Sequence, residues 1–257
     1  MQKLIVYPYK IGSESAKKLA RELGVIQVFP DRNYKYYPNH VIINWGNGAL
    51  PHWDTPRVKY LNHPSKVSIS ANKITALKTM KDQGVSIPIF FTNKEELIRY
   101  TVGLPGFPTI YCRTNVRGHS GSGIVLANAV SEIIPAPLYT IRFKAKREWR
   151  VHVFKDQVID FAKKSKRTGE EADRLIRSYA NGWVFRREGL ELPEALATMA
   201  KKAIVALGLD FGAVDIAEDK NGRVCVYEVN SAPGMELGST TLRKYVNVFR
   251  EYVDSIS

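Results

Sequence analysis

The sequence predicts an α/β protein with helices and strands interleaved along the chain, and three observations predict it. Strand, helix and strand alternate with short connections over the first 45 residues, which implies a small Rossmann-like subdomain on a parallel sheet. Asn221-Gly222 lies between two alternating apolar runs in DFGAVDIAEDKNGRVCVYEVNSAPGM (210–235), the strongest short-range hairpin signal. An amphipathic helix over 192–207 delivers the chain into that hairpin.

At 257 residues the chain is long enough for one large or two to three small subdomains. Hydrophobic content of 44% with 25% charged residues is ordinary for a soluble globular protein, and no apolar run approaches the length of a spanning helix. The opening MQKLIVYPYK lacks a signal-peptide pattern. Cys112 and Cys225 have neither metal nor disulfide spacing and sit in apolar strand patterns, as expected of reduced core thiols in a cytoplasmic protein with no membrane partner. The net charge of +13 is concentrated: Arg142 to Arg187 holds 14 Lys and Arg against 6 Asp and Glu, so this stretch supplies +8. Such a stripe can hold phosphates, an acidic polypeptide or nucleic acid, or form a solvated face.

Taken in order, Leu4–Tyr7 reads as a buried strand. Ser13 to Leu23 reads as a helix with Ser13 as N-cap and Gly24 at C′. Val25–Phe29 and Val41–Ile43 read as further strands, and Asn44-Trp45-Gly46-Asn47-Gly48 as a loop at the carboxyl end of the last, where open α/β sheets place ligands. Leu50 to Pro64 reads as an irregular crossing. The spacing then predicts a helix over 70–81 with Ser70 as N-cap and an Ile69–Ile74 staple. Lys73 falls in its first turn, against the helix dipole, where a cation suits a shared anion or else faces solvent. Thr92 with Glu95 forms a capping box for the next helix.

Phe107 to Leu126 carries a strand, the Gly-rich loop TNVRGHSGSG and a second strand. Ile124 and Val125 stand where a P-loop needs Lys and Ser/Thr, and no helix follows for a dinucleotide fingerprint. A Gly/Ser loop between strands can instead offer backbone N–H groups to phosphates. Leu138–Ile141 is a short strand. In EWRVHVF (148–154) the polar Glu148, Arg150 and His152 share one face, as in a lined cleft. Val158–Ala162 and the run Lys163 to Arg167 follow. Asn181-Gly182 is a turn, and Pro193, Glu194 and Gly208 bound the amphipathic helix.

With a two-residue Asn221-Gly222 turn, Lys220 faces Arg223, and Asp215 stands opposite Glu228. Asn230 shares that side, while Val214, Ile216, Cys225, Tyr227 and Val229 take the other. Facing carboxylates repel unless something neutralises them. Three oxygen ligands on one pleated face suit Mg2+, which takes one or two carboxylates and completes its shell with water and phosphate oxygens. The alternative is a surface hairpin whose acids face water.

The order of these pieces, from the helix with Lys73 and the strand ending in Arg113 through the Gly/Ser loop and E-W-R-V-H-V to V-D-I and Y-E-V-N-S-A-P-G, resembles the ATP-grasp superfamily. The resemblance covers about residues 65–250. Within the superfamily it is closer to carboxylate–amine ligases such as ribosomal-protein glutamate ligases and D-alanine–D-alanine ligase. The WGN loop, EWRVHVF and NGWVF are similar to ATP-grasp proteins carried by tailed phages. The resemblance implies an N-terminal α/β subdomain (1–64), an ATP-grasp small or lid subdomain (65–137) and a C-terminal subdomain with the metal site (138–257). It implies that Lys73 and Arg113 contact the ATP phosphates, with His119, Ser120, Gly121, Ser122 and Gly123 closing over them. Adenine would sit against Tyr139, Thr140 and Ile141, held largely by backbone groups. Asp215, Glu228 and Asn230 would hold Mg2+, or Mn2+ in its place. Arg150 and Lys163 or Lys164 would line the acyl-phosphate site, with Arg177 and Asn181 near the acceptor. Two departures stand out: Arg113 replaces the usual Lys, and Ala213 replaces the Arg that D-alanine ligases place two residues before the metal Asp.

The implied activity is ATP-dependent ligation of a small-molecule or peptide carboxylate to an amine through an acyl phosphate. The alternatives are a phosphotransferase of the same fold, or a non-enzymatic basic module for nucleic acid or an acidic partner.

Overall fold

The computed structural model describes residues 2–31, 33–117, 123–169, 171–173, 175–236 and 238–257. The positions His119, Ser120, Gly121 and Ser122, expected to close over phosphates, lie outside the described residues.

Among the described residues the strands form three sheets. The first is parallel and comprises β1 (Lys3–Pro8), β2 (His40–Trp45) and β3 (Lys59–Leu61). The helix α1 (Glu14–Leu23) covers it, capped by Ser13, whose hydroxyl accepts from the Ala16 N–H, and ended by Gly24 at φ 73°. Val25–Phe29 makes only an isolated bridge, Val6 to Gln27. The third strand comes instead from the segment expected to be irregular, where Tyr60 and Leu61 pair with Ile42 and Ile43.

The helix expected over 70–81 is two helices, α2 (Pro64–Ala71) and α3 (Lys73–Asp82). Asn72 is extended, and its side-chain oxygen accepts from the Ile74 and Thr75 N–H groups, so it replaces Ser70 as the cap. Ser70 lies inside α2 and donates to the Val67 carbonyl. Lys73 is still the first residue of its helix. α4 (Lys94–Val102) is likewise capped by Asn93 rather than Thr92.

The second sheet is antiparallel, in the order β4 (Phe90–Phe91), β7 (Leu138–Ile141), β5 (Ile110–Arg113), β6 (Ile124–Ala127). The third, also antiparallel, runs β10 (Trp183–Arg186), β9 (Gln157–Lys166), β8 (Arg147–Phe154), β11 (Phe211–Glu218), β12 (Val224–Asn230). Period-two alternation divides the third sheet's faces. Trp149, Val151, Val153, Val214, Ile216, Val226 and Val229 form a core with α3 and with α5 (Glu194–Ala206). On the opposite face, Phe154 and Phe211 pack against the first sheet and a C-terminal helix, α6 (Thr240–Ser255). That helix carries Leu242, Tyr245, Val246, Phe249 and Val253 on one buried stripe behind a Ser239 cap. The fully buried Trp45 joins these parts, stacking on Phe211 and meeting Tyr245 edge-on, both at 5.4 Å between ring centroids.

The β11–β12 hairpin departs from a simple two-residue turn twice. The Asp219 N–H donates to the Arg223 carbonyl, so Lys220-Asn221-Gly222 is a three-residue tip with Gly222 at φ 79°. Asp219 therefore closes on Arg223, and the expected Lys220–Arg223 pairing does not form. The register then shifts between Asp215 and Ile216, a β-bulge at Tyr227, and the two offsets cancel. Asp215 does stand opposite Glu228. Between tip and bulge the faces are exchanged, so Val226 takes the core place expected for Cys225 and Tyr227, and Tyr227 turns to the cavity.

Candidate active site

The remaining half of the third sheet's near face lies opposite the second sheet, and a cavity of about 460 Å³ separates them. Arg113, Thr140 and Ile141 line its small-sheet side, while Glu148, Arg150, Lys164, Asp215 and Glu228 line its large-sheet side. Among the described residues six cationic side chains (Lys73, Arg113, Arg142, Arg150, Lys164 and Arg177) meet three carboxylates (Glu148, Asp215 and Glu228), leaving three positive charges.

The sheet register pairs Asp215 with Arg150 on one side and with Glu228 on the other. Arg150 donates to Asp215 in bidentate fashion, Nε to Oδ1 at 2.7 Å and Nη2 to Oδ2 at 2.8 Å. Burial alone would raise the Asp215 carboxyl, but the Arg150 charge and its hydrogen bonds override it and hold the group below the usual carboxylate range. Phe185 of β10 lies under the guanidinium at 4.6 Å. Lys73 Nζ is 3.2 Å from Glu228 Oε2, so the helix-start cation does face an anion. Asn230 sits behind Glu228 and donates to its Oε1 at 3.1 Å. Burial pulls the Arg113 guanidinium down, and the Glu228 charge opposes that shift.

Glu148 is the anchor of a second cluster. Lys164 donates to its Oε2 at 3.1 Å, and Arg177 Nε lies 3.5 Å from its Oε1. Arg177 also donates to the Ala145 carbonyl and rests on the Trp183 ring at 4.8 Å. The pair left open in the sequence is thereby decided. Lys164 lines the cavity, whereas Lys163 shares register and face with Trp149, its Nζ 5.9 Å from that ring. Asn181 is not a lining residue: its amide donates to the Ile176 carbonyl at 2.8 Å and so fixes the segment that carries Arg177. The Tyr139 side chain turns into the second sheet's core, where its hydroxyl donates to the Ile134 carbonyl. Only Thr140 and Ile141 of that trio line the cavity. His152, on the face of Arg150, is buried against Tyr245, with its ring nitrogen 3.1 Å from the hydroxyl. Burial and the Arg150 charge push it down to about 3.

Sequence reasoning placed Glu148 on the face of a lined cleft without naming its partners, put Tyr227 on the core side, and assigned no role to Tyr111, Trp183 or Phe185, yet all five line the cavity. Alternation in EWRVHVF did mark Glu148, but nothing local marks the aromatic residues.

Among the described residues no three or more His, Cys, Asp or Glu gather to hold a metal. The donors at the hairpin are two opposed carboxylates and a carboxamide, all hard oxygens, which fits Mg2+ bound with phosphate oxygens better than a metal held by protein alone.

The profile of the RimK-like ATP-grasp domain matches residues 70–256. The chain belongs to the RimK-like ATP-grasp family. The chemistry of this family is ATP-dependent ligation of a carboxylate to an amine. A "Probable alpha-L-glutamate ligase" of Mannheimia succiniciproducens is 28% identical over 205 residues, 75% of this chain and 66% of that protein. "Probable alpha-L-glutamate ligase 1" of Shewanella denitrificans is 25% identical over 224 residues, 82% of this chain and 73% of that protein. In fold the chain is similar to the ATP-grasp ligase PsnB, solved with a phosphomimetic precursor variant, Mg and ADP, at TM-score 0.69 and 12% identity, covering 98% of this chain and 99% of that one. It is also similar to D-alanine–D-alanine ligase of Bacillus anthracis at TM-score 0.66 and 16% identity, covering 98% and 94%. Among the described residues no helix is long and apolar enough to cross a membrane.

Proposed function

We propose that this chain activates a carboxylate with ATP as an acyl phosphate and joins it to an amine, releasing ADP and phosphate. The observation that carries the reading is the cavity's excess, among the described residues, of three positive charges around an Asp–Glu pair, which suits a metal nucleotide together with a carboxylate. The three units are 1–64, 65–137 and 138–257, and the last carries the metal ligands.

Lys73 and Arg113 neutralise the nucleotide phosphates, with the adenine edge against Thr140 and Ile141. Asp215, Glu228 and Asn230 would hold Mg2+, or Mn2+ in its place, which would supply neutralisation of the charge that develops on the phosphate oxygens. In the first step a carboxylate oxygen forms a bond to the γ-phosphorus while the bond to the bridging oxygen breaks, and ADP leaves with that electron pair. Arg150, Lys164 and Arg177, which line the cavity, would hold the charge of the transferred phosphoryl group, with Arg150 in the role left vacant by Ala213. In the second step the amine nitrogen attacks the acyl carbon, loses a proton, and phosphate leaves with the carbon–oxygen bonding pair. The Phe185 and Trp183 rings back the guanidinium planes and keep both arginines in one orientation.

Free amino acids and peptides are both candidate substrates. The PsnB neighbour, solved with precursor peptide PsnA2 and AMPPNP, supports the peptide class. The test measures ADP release with pools of amino acids, peptides and polyamines, for wild type, Asp215→Asn and Glu228→Gln. Amine-dependent turnover that falls about a thousandfold in either variant is expected. Turnover indifferent to every amine supports phosphotransfer instead, and no turnover at all rejects the assignment.

A further inference from the structure

The loop Asn44–Gly48, singled out in the sequence for its place at a strand's carboxyl end, lines no part of the cavity. We infer that Gly46 is a positioning residue: it sets where the chain runs just after Asn230, and so places the carboxamide behind Glu228. This inference rests on the reading of Asn230 as a metal ligand.

Three observations carry it. A Cβ on Gly46 would stand 2.6 Å from the Ala232 Cβ, far inside contact distance, and only 3.6 Å from Tyr9 on its other side. Gly46 thus leaves free the space that the Ala232 methyl occupies, which any side chain at position 46 would claim. Second, the loop cannot recoil. Gly46 bridges Pro8, and the Tyr9 N–H donates to the Trp45 carbonyl. Asn44 donates to the Asn47 carbonyl at 2.8 Å, and the Asn47 N–H donates back to Asn44 Oδ1 at 2.9 Å. The Asn47 amide then donates to the Pro8 carbonyl at 3.0 Å. The Asn44 and Asn47 bonds are buried, so a side chain at position 46 pushes Ala232 and leaves the loop in place. Third, Ala232 is two residues from Asn230, the last residue of β12, whose amide is already engaged with Glu228. A shift of about 1 Å there passes directly to the ligand, and a misplacement of that size can cost about 10²-fold in rate.

Ala232 fills the space above Gly46 with a single methyl group. Removing that methyl therefore makes room for one on Gly46, which turns the inference into a compensation experiment. Mn2+ affinity of the ATP complex is measured by electron paramagnetic resonance, alongside ADP release and thermal unfolding, for Gly46→Ala, Ala232→Gly and the double variant. Gly46→Ala should lower Mn2+ affinity about tenfold and turnover about a hundredfold, leaving metal-free ATP affinity unchanged. The double variant should recover Mn2+ affinity and turnover to within about threefold of wild type. It should keep a lowered melting temperature, because the positive φ of 83° at position 46 strains any side chain whatever room it has. Ala232→Val, which crowds the contact from the other side with Gly46 intact, gives the same loss and replaces Gly46→Ala if that variant does not fold. Wild-type Mn2+ affinity in the crowded variants, or a metal defect that Ala232→Gly leaves in place, overturns the inference. Failure of the wild-type ATP complex to take up Mn2+ at all overturns the metal assignment itself and this inference with it.

Discussion

Replacing Arg150 by Met keeps the stem of the side chain and removes the guanidinium that both Asp215 oxygens accept from. The Asp215 side chain is 11% exposed, so the variant leaves a nearly buried carboxylate without its paired charge. Breaking a buried pair from one side costs about 3–5 kcal/mol. In a chain of this size about 1 kcal/mol moves the melting temperature by roughly 2–4 °C, so a loss of about 10 °C at pH 7 is expected. The pH dependence identifies the cause. In the wild type the Asp215 pKa is lowered, so its contribution is present above the unfolded value of about 3.9 and is lost only as pH falls through the folded value. Without Arg150, burial governs and raises the carboxyl instead, so the folded state is penalised at every pH above about 4 and relieved as acid protonates the group. Melting followed by circular dichroism from pH 4.5 to 8 should show the deficit largest at neutral pH and shrinking toward acid. A deficit that is constant with pH, or below about 2 °C, refutes the electrostatic argument and leaves only lost packing on Phe185.

Lys164→Met should lower ligase turnover at least about tenfold, because it removes a cation from the cavity and one of the partners of Glu148, whereas Lys163→Met, on the opposite face, should stay within about threefold; steady-state ADP release separates them. His152 is pushed down to about 3, below its unfolded value near 6.5, so it favours the fold above that value and disfavours it progressively as pH falls from 6.5 toward 3. His152→Gln should flatten the stability profile over that window, as followed by urea titration at several pH values. Phe249→Ala, at a fully buried position where α6 meets Phe154 and Phe211, should cost about 3–5 kcal/mol in the same titration.

What the sequence reveals depends on how local the deciding interaction is. The opposition of Asp215 and Glu228 was readable from alternation around Asn221-Gly222, yet the turn assumed for it was short by one residue, and only a bulge four residues away restored the pairing. Nothing local announces that bulge, so Cys225, Tyr227 and Val226 exchanged faces unforeseen. The cap of α3 failed for a similar reason. Ser70 and Asn72 are both good capping residues, and the choice falls to Asn72 because a separate helix, α2, already claims Ser70. The bidentate Arg150–Asp215 pair needs the register of β8 on β11, strands separated by more than fifty residues, which no window of sequence contains. The C-terminal helix is a different case. Its apolar stripe from Leu242 to Val253 and its Ser239 cap are local signals, of the kind a single window of sequence contains. The family motifs succeeded where geometry could not be read, since they carry long-range pairings within a short string.

The hairpin's two cancelling offsets separate its ends. Lys220, Asn221 and Gly222 are exposed at the tip, while the bulge fixes the strand positions that face the cavity. A cysteine-tagged dye or short epitope spliced into those three residues would ride on the same two strands as the carboxylates without entering the sheet. Such a label offers a direct handle for watching nucleotide arrive.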